Sequence, residues 1–171
     1  DAVGVPSIGA LAQDPSNPNT VYVGTGEANS SGDSFDGEGL FRSEDGGDTW
    51  SPLGLEATRH IARLVIDPTD PDRIFVAAMG RLFSPNAERG LYRSPHGGVS
   101  FDRVLFVSDT TGCSDVAVDP SNPSRVYAAM WERIRRPKAR RVGGVTSGVH
   151  RSTDGGSTWS LLAGGLPAPA N

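Results

Sequence analysis

An eight-residue unit constrains this chain more than any other feature. Ser43-Glu44-Asp45-Gly46-Gly47-Asp48-Thr49-Trp50 returns as Ser152-Thr153-Asp154-Gly155-Gly156-Ser157-Thr158-Trp159, and a degenerate copy, Ser94-Pro95-His96-Gly97-Gly98-Val99-Ser100-Phe101, stands between them. Each copy follows a short apolar run, Gly39-Leu40-Phe41-Arg42, Gly90-Leu91-Tyr92-Arg93 or Gly148-Val149-His150-Arg151, and ends on an aromatic residue that opens another. Strand, tight turn, strand predicts a β-hairpin. The Gly-Gly pair supplies positive φ, which other residues adopt only at a cost. Asp45 and Asp154 can accept hydrogen bonds from turn amides, and Ser43 or Ser152 can bond across the turn. Trp50 and Trp159 can close the hairpin end with a large apolar surface. These acidic residues therefore read as fold-holding groups rather than catalysts. His96 stands where the outer copies have Asp, so the middle hairpin is expected to be the softest of the three.

A second unit alternates with the first. Asp14-Pro15-Ser16-Asn17-Pro18, Asp67-Pro68-Thr69-Asp70-Pro71 and Asp119-Pro120-Ser121-Asn122-Pro123 each lead into an apolar run, at steps of 53 and 52 residues. A period near 50 points to propeller blades or another repeat array. Four strands can be read per repeat. Strand A is Ile8–Gln13, Ile61–Ile66 and Cys113–Val118; strand B is Thr20–Gly24, Arg73–Met79 and Arg125–Trp131. Strand C leads into the octapeptide, and strand D leaves it as Thr49–Leu53, Ser100–Phe106 and Thr158–Leu162. Strand A is almost wholly small or aliphatic, which predicts burial on both faces. With 22 Gly, 13 Pro and no long helical period, the fold class is all-β: three four-stranded antiparallel β-propeller blades. They span about 7–55, 60–107 and 113–164 of one partial propeller covering 1–171, with a Pro/Ala-rich linker stub at 166–171.

The octapeptide resembles the Asp-box, or bacterial neuraminidase (BNR) repeat, Ser/Thr-x-Asp-x-Gly-x-Thr-Trp/Phe. Ser43, Asp45, Gly47, Thr49 and Trp50 match it, as do Ser152, Asp154, Gly156, Thr158 and Trp159. Stretches 23–33, 55–61 and 80–90, with Ala129-Met130-Trp131-Glu132, resemble sortilin-like bacterial propeller proteins often labelled glycosyl hydrolase. The resemblance implies a propeller scaffold and an extracytoplasmic location, secreted or periplasmic.

Three blades do not close a ring, since propellers have about four to eight. An uncovered blade face of roughly 400 Å² forgoes about 10 kcal/mol. The open ends are therefore expected to be covered by self-association, a homodimer of six blades with two equivalent contacts, or by further blades of a longer chain. The chain opens at Asp1 without a Met, as a processed product or a piece of something larger would, and no signal peptide is discernible. The net charge of −4, from 20 acidic and 16 basic residues, argues against a nucleic-acid partner. No apolar run reaches membrane-spanning length. The single cysteine, Cys113, precludes an intrachain disulfide and reads as a buried thiol.

In a propeller the A–B and C–D turns share one face and the B–C and D–A loops the other, where binding usually resides. The first B–C loop carries Glu27, Asp33, Asp36 and Glu38. Paired carboxylates suit acid–base glycoside hydrolysis, so Glu27 and Asp33 are the catalytic candidates. Their spacing matches no cation loop, and neither metal nor cofactor is expected. The third B–C loop, 132–148, carries Arg133, Arg135, Arg136, Lys138, Arg140 and Arg141 beside Trp131 and Glu132. It can meet acidic sugars, phosphate or a carboxylate-rich partner, with Trp131 stacking on a sugar ring. His60, Arg63 and Asp115, near the starts of strands A, can form a polar cluster at the channel mouth. The first reading is thus a binding or scaffold module for carbohydrate or peptide, through Trp131, Glu132, Arg133, His60, Arg63 and Asp115. The alternative is a glycoside hydrolase, or a fragment of one. Sialidase chemistry is disfavoured because the three tyrosines fall at repeated strand positions. Xyloglucanase chemistry is disfavoured because the resemblance requires carboxylates from two facing domains.

Overall fold

A computed structural model describes residues 4–29, 31–136 and 139–164, without the side chains of 139–141. Lys138, the side chains of Arg140 and Arg141, and the 166–171 stub lie outside the described residues. The first sheet is β1 (Ile8–Gln13), β2 (Val21–Thr25), β3 (Leu40–Ser43) and β4 (Ser51–Gly54) in consecutive antiparallel order. After a 3-10 turn at Glu56–Thr58, the second repeats that order in β5 (Ile61–Asp67), β6 (Asp70–Ala78), β7 (Gly90–Ser94) and β8 (Asp102–Leu105). The third holds β9 (Thr111–Val118) and β10 (Val126–Arg136), then β11 (Ala139–Val142), β12 (Gly148–Ser152) and β13 (Ser160–Leu161). Its blade order is β9-β10-β12-β13, while β11 pairs with the far end of β10. These are three blades of a β-propeller. No described helix is long and apolar enough to cross a membrane.

Three details depart from the sequence expectation. The last strand of each blade begins after the Thr-Trp, Ser-Phe or Thr-Trp pair, because those residues are spent on the turn. Trp50 Nε1 donates to Gly47 O at 3.0 Å and Trp159 Nε1 to Gly156 O at 3.2 Å. Strand β6 starts at Asp70 rather than Arg73, closing a shorter connection. The stretch expected as the third B–C loop is largely a hairpin, since β10 runs on to Arg136 and returns through β11.

The outer hairpin turns are locked by side chains. Ser43 Oγ donates to Asp45 (2.6 Å) and accepts from Gly47 N (2.8 Å), and Asp45 accepts from Thr49 N (2.9 Å) and Thr49 Oγ1 (2.5 Å). Ser152, Asp154, Gly156 and Thr158 repeat this set at 2.6–2.8 Å. In the middle copy Ser94 Oγ accepts from His96 N (3.1 Å) and Gly98 N (2.9 Å), and no described side chain accepts from the Ser100 amide. Supplying the missing carboxylate should restore those bonds. We expect His96→Asp to raise the melting temperature by roughly 2–4 °C, read by circular dichroism; an unchanged midpoint would count against it.

The same bonds hold the two carboxyls well below the ordinary range, through the Ser43 hydroxyl first for Asp45 and the Thr158 hydroxyl first for Asp154. A depressed folded value means the unfolded chain binds more protons in acid, so this stabilisation is present above about pH 4 and lost as pH falls below it. The midpoint should drop between about pH 4 and pH 2, and less steeply in an Asp45→Asn/Asp154→Asn variant. Equal slopes would show that the turns are not linked to acid unfolding.

Two interblade cores hold the blades together. Tyr22, Leu40, Ile61, Leu64, Ile66, Ile74 and Val76 fill the first; Phe75, Ala77, Leu91, Cys113, Val116, Val126, Ala128 and Met130 fill much of the second. Strand β6 serves both, Ile74 and Val76 facing one way and Phe75 and Ala77 the other, as a period of two requires. Burial pushes the Cys113 thiol far above its usual value, so it is inert at neutral pH. Strand β1, expected to be buried on both faces, is not: Leu11 is 66% exposed, because no blade lies beside it. Polar fasteners join neighbouring turns. Arg42 Nη1 and Tyr22 OH donate to Gly97 O (3.2 and 3.4 Å), and Arg93 Nη1 donates to Gly155 O (2.8 Å).

Candidate functional site

The two turn families share one face: Gly46 N, Gly97 N and Gly155 N donate to Asn19 O, Asp72 O and Ser124 O at 2.8–2.9 Å. The connections between second and third strands gather elsewhere, together with the β8–β9 connection, and touch one another. Asn86 N donates to Asp109 O, Arg133 N to Thr110 O and Arg135 N to Leu82 O, each at 2.9 Å. Arg133 Nη2 reaches across to Asn29 O at 2.6 Å. Segments from all three blades thus form one continuous shelf.

Gly26 enters the first loop at φ 93°, with no room for a Cβ against the Arg59 carbonyl. Thr25 Oγ1 donates to Gly39 O (2.7 Å) and accepts from Glu38 N (2.8 Å), closing the loop's base. Glu27 is half-buried; its carboxylate accepts from Asn29 Nδ2 (2.7 Å) and Phe35 N (3.4 Å). Asp33 is exposed and accepts from the Ser31 hydroxyl. That hydroxyl, with a smaller contribution from the Arg135 charge, lowers the Asp33 pKa. A glycosidic general acid needs the opposite shift, so Asp33 suits only the anionic role of such a pair.

The expected cluster of His60, Arg63 and Asp115 is divided. Arg63 Nε lies 3.6 Å from Asp115 Oδ1, both well exposed. His60 is fully buried, its Nδ1 3.1 Å from Gly80 O and its Nε2 3.4 Å from Asp36 Oδ1 without hydrogen-bond alignment. Among the described residues no hydrogen bond or ion pair joins His60 to either of the others. Burial lowers the His60 pKa, and the Asp36 charge opposes this only in part.

The third hairpin also corrects the expectation of a ligand-facing triplet. Arg133 lies over one face of the Trp131 ring, 4.3 Å from its centroid, so only the opposite face is left for a ligand to stack on. Glu132 points the other way and is buried, accepting from Thr146 Oγ1 (2.7 Å) and Thr146 N (3.3 Å). Glu132 and Arg133 therefore tie the loops together, and only Trp131 of the three is part-exposed. Sequence reasoning missed Gly32 and Phe83, which with Arg135 and Arg136 line a cavity of about 230 Å³. The arginine-rich run signalled half of this lining; nothing local ties it to Phe83, some 50 residues earlier. A smaller hollow of about 100 Å³ lies on the outer face of the third blade, lined by Asp115, Val116, Ala117, Tyr127, Ala129 and Val149. Among the described residues no group of three or more His, Cys, Asp or Glu side chains is placed to hold a metal.

No protein-family model matches the chain. It is 29% identical over 180 aligned positions to a xyloglucanase of Paenibacillus sp., covering 92% of this chain and 16% of that protein. It is also 29% identical to a xyloglucanase of Hypocrea jecorina, covering 92% of this chain and 20% of that one. Among solved structures, an ancestral GH74 enzyme superposes with a TM-score of 0.69 at 21% identity, over 95% of this chain and 19% of that one. The GH74 xyloglucanase from Xanthomonas campestris gives 0.65 at 20% identity, over 94% and 23%. The chain shares its fold with a segment of each of these two structures. The chain spans about a fifth of the length of the relatives it matches. These names point to the activity that the sequence reading disfavours. That reading rested on the presence of one partial domain, which is what any segment of a longer propeller would present.

Proposed function

We propose that this chain is part of a glycoside hydrolase of the xyloglucanase type and supplies a glycan-binding stretch of its loop face. The observation that carries the reading is the 29% identity across 92% of the chain to proteins named xyloglucanase. The hydrogen bonds that join loops of all three blades support it, because a glycan chain needs one continuous surface to lie along. On this reading the octapeptides are Asp-boxes with a structural role, supported by the inward-directed bonds of Asp45 and Asp154. A polysaccharide substrate makes the location extracytoplasmic. The uncovered faces of the first and third blades take neighbouring blades, from a longer chain or from a second copy in a six-bladed homodimer; sedimentation velocity separates these, since a monomer at micromolar concentration removes the dimer.

The functional test is affinity electrophoresis through gels containing xyloglucan. The chain should migrate measurably more slowly than in plain gels, and Trp131→Ala should recover most of the lost mobility. Identical migration in both gels would overturn the reading. Sugar release that survives Glu27→Gln and Asp33→Asn would exclude those two carboxylates as the catalytic pair.

A further inference from the structure

The cavity between the three loops has a chemistry that a neutral glucan does not require. Its lining comes from all three blades: Gly32 from the first, Phe83 from the second, and Arg135 and Arg136 from the third. Arg135 sits on a regular hairpin and is pinned by its own amide to Leu82 O at 2.9 Å. Its Nη2 lies 3.0 Å from where a Cβ on Gly32 would stand, so the glycine lets the guanidinium seat against the loop. Among the described residues neither Arg135 nor Arg136 makes a side-chain hydrogen bond or ion pair. The nearby carboxylate is Asp33, already bonded to Ser31. Two cations against one anion leave the hollow positive. Phe83, 45% exposed, adds an aromatic wall. A space of about 230 Å³ is smaller than the roughly 300–1,000 Å³ of pockets for drug-sized molecules, and suits a single ring.

We propose that Arg135, Arg136 and Phe83 form a subsite for a carboxylate-bearing sugar, a uronic-acid unit of an acidic polysaccharide. The planar guanidinium fork matches a carboxylate in two parallel hydrogen bonds, and the apolar face of a sugar ring stacks on an aromatic side chain. The choice of a saccharide rests on the hydrolase-type reading above; the carboxylate preference rests on the cavity alone. A phenyl ring beside the cations favours a sugar over an acidic peptide, which would need only the charges.

Isothermal titration of the full chain with trigalacturonate, a neutral xylogluco-oligosaccharide and a short polyglutamate peptide tests this. Trigalacturonate should bind about tenfold or more tightly than the neutral sugar, and weaken as salt rises from about 50 to about 300 mM. Arg135→Gln/Arg136→Gln should remove that preference and Phe83→Ala should weaken both sugars, while Arg151→Gln, an exposed arginine on β12 outside the cavity, should change neither. Equal affinity for acidic and neutral sugars, no binding of trigalacturonate, or an unchanged Arg135→Gln/Arg136→Gln variant would overturn the proposal. Polyglutamate binding as tightly as trigalacturonate would overturn the sugar assignment. Binding of the neutral sugar alone would sink this inference and leave the hydrolase-type reading standing; binding of trigalacturonate alone would do the reverse.

Discussion

In a monomer of this chain, Phe75→Ala should cost about 3–5 kcal/mol, whereas Tyr127→Ala, at the same place in the next blade, should cost less than about 1 kcal/mol. The positions are equivalent by register: Phe75 pairs with Arg93 and Tyr127 with Arg151, as Tyr22 pairs with Arg42. Their surroundings differ. The Phe75 ring is fully buried and lies against Gly156, where an added Cβ would come within 2.8 Å. Removing it leaves a void between two blades, and the rigid Gly-Gly turn above cannot collapse into it. Tyr127 faces the uncovered side of the third blade, where truncation opens no closed cavity. Urea unfolding of both variants measures the difference. A cost for Tyr127→Ala matching that of Phe75→Ala would show that the outer face is covered in solution; near-neutrality of Phe75→Ala would contradict the interblade core itself.

Arg89→Met should cost about 3–5 kcal/mol, through loss of a buried, hydrogen-bonded charge. Arg89 is fully buried in the loop between β6 and β7. Its guanidinium donates to Arg81 O (2.6 Å), Thr110 O (3.3 Å) and Ser84 O (3.4 Å). It therefore binds the second-blade loop to the chain entering the third blade. Burial lowers its pKa to about 10, with the Asp109 charge opposing, so it stays protonated at neutral pH. Methionine fills similar volume but leaves the three carbonyls without their donor. At roughly 2–4 °C per kcal/mol for a chain of this size, the melting temperature should fall by about 6–20 °C. Arg89→Lys should recover only part, because a point charge cannot reach three divergent carbonyls. A loss under about 1 kcal/mol for Arg89→Met would mean that water replaces the guanidinium.

What could be read from the residues follows the range of each interaction. The turns were legible because Ser43, Asp45, Gly47 and Thr49 bond within four positions of one another, so their chemistry lies wholly in the local sequence. The Asp-Pro units behave likewise. Asp67 and Asp119 bond to Arg73 and Arg125 six residues on, while Asp14, with Thr20 at that place, relies on Ser16 and Asn17 instead. Register within each hairpin followed from the turn. The site was less legible. Glu132 and Arg133 looked like ligand-facing charges in an irregular loop, but the strand runs on through them and turns them inward.

Repeat length, blade class and the internal bonding of each turn are written in the chain's residues, because these rest on contacts between near neighbours. Which blade faces are buried, the enclosure of His60 and Arg89, and the meeting of Phe83 with Arg135 and Arg136 depend on how the blades pack. Equivalent residues such as Phe75 and Tyr127 carry the same local signal. Desolvation is set by whatever packs against them from a different blade, and a period of about 50 residues says nothing about whether that neighbour is present.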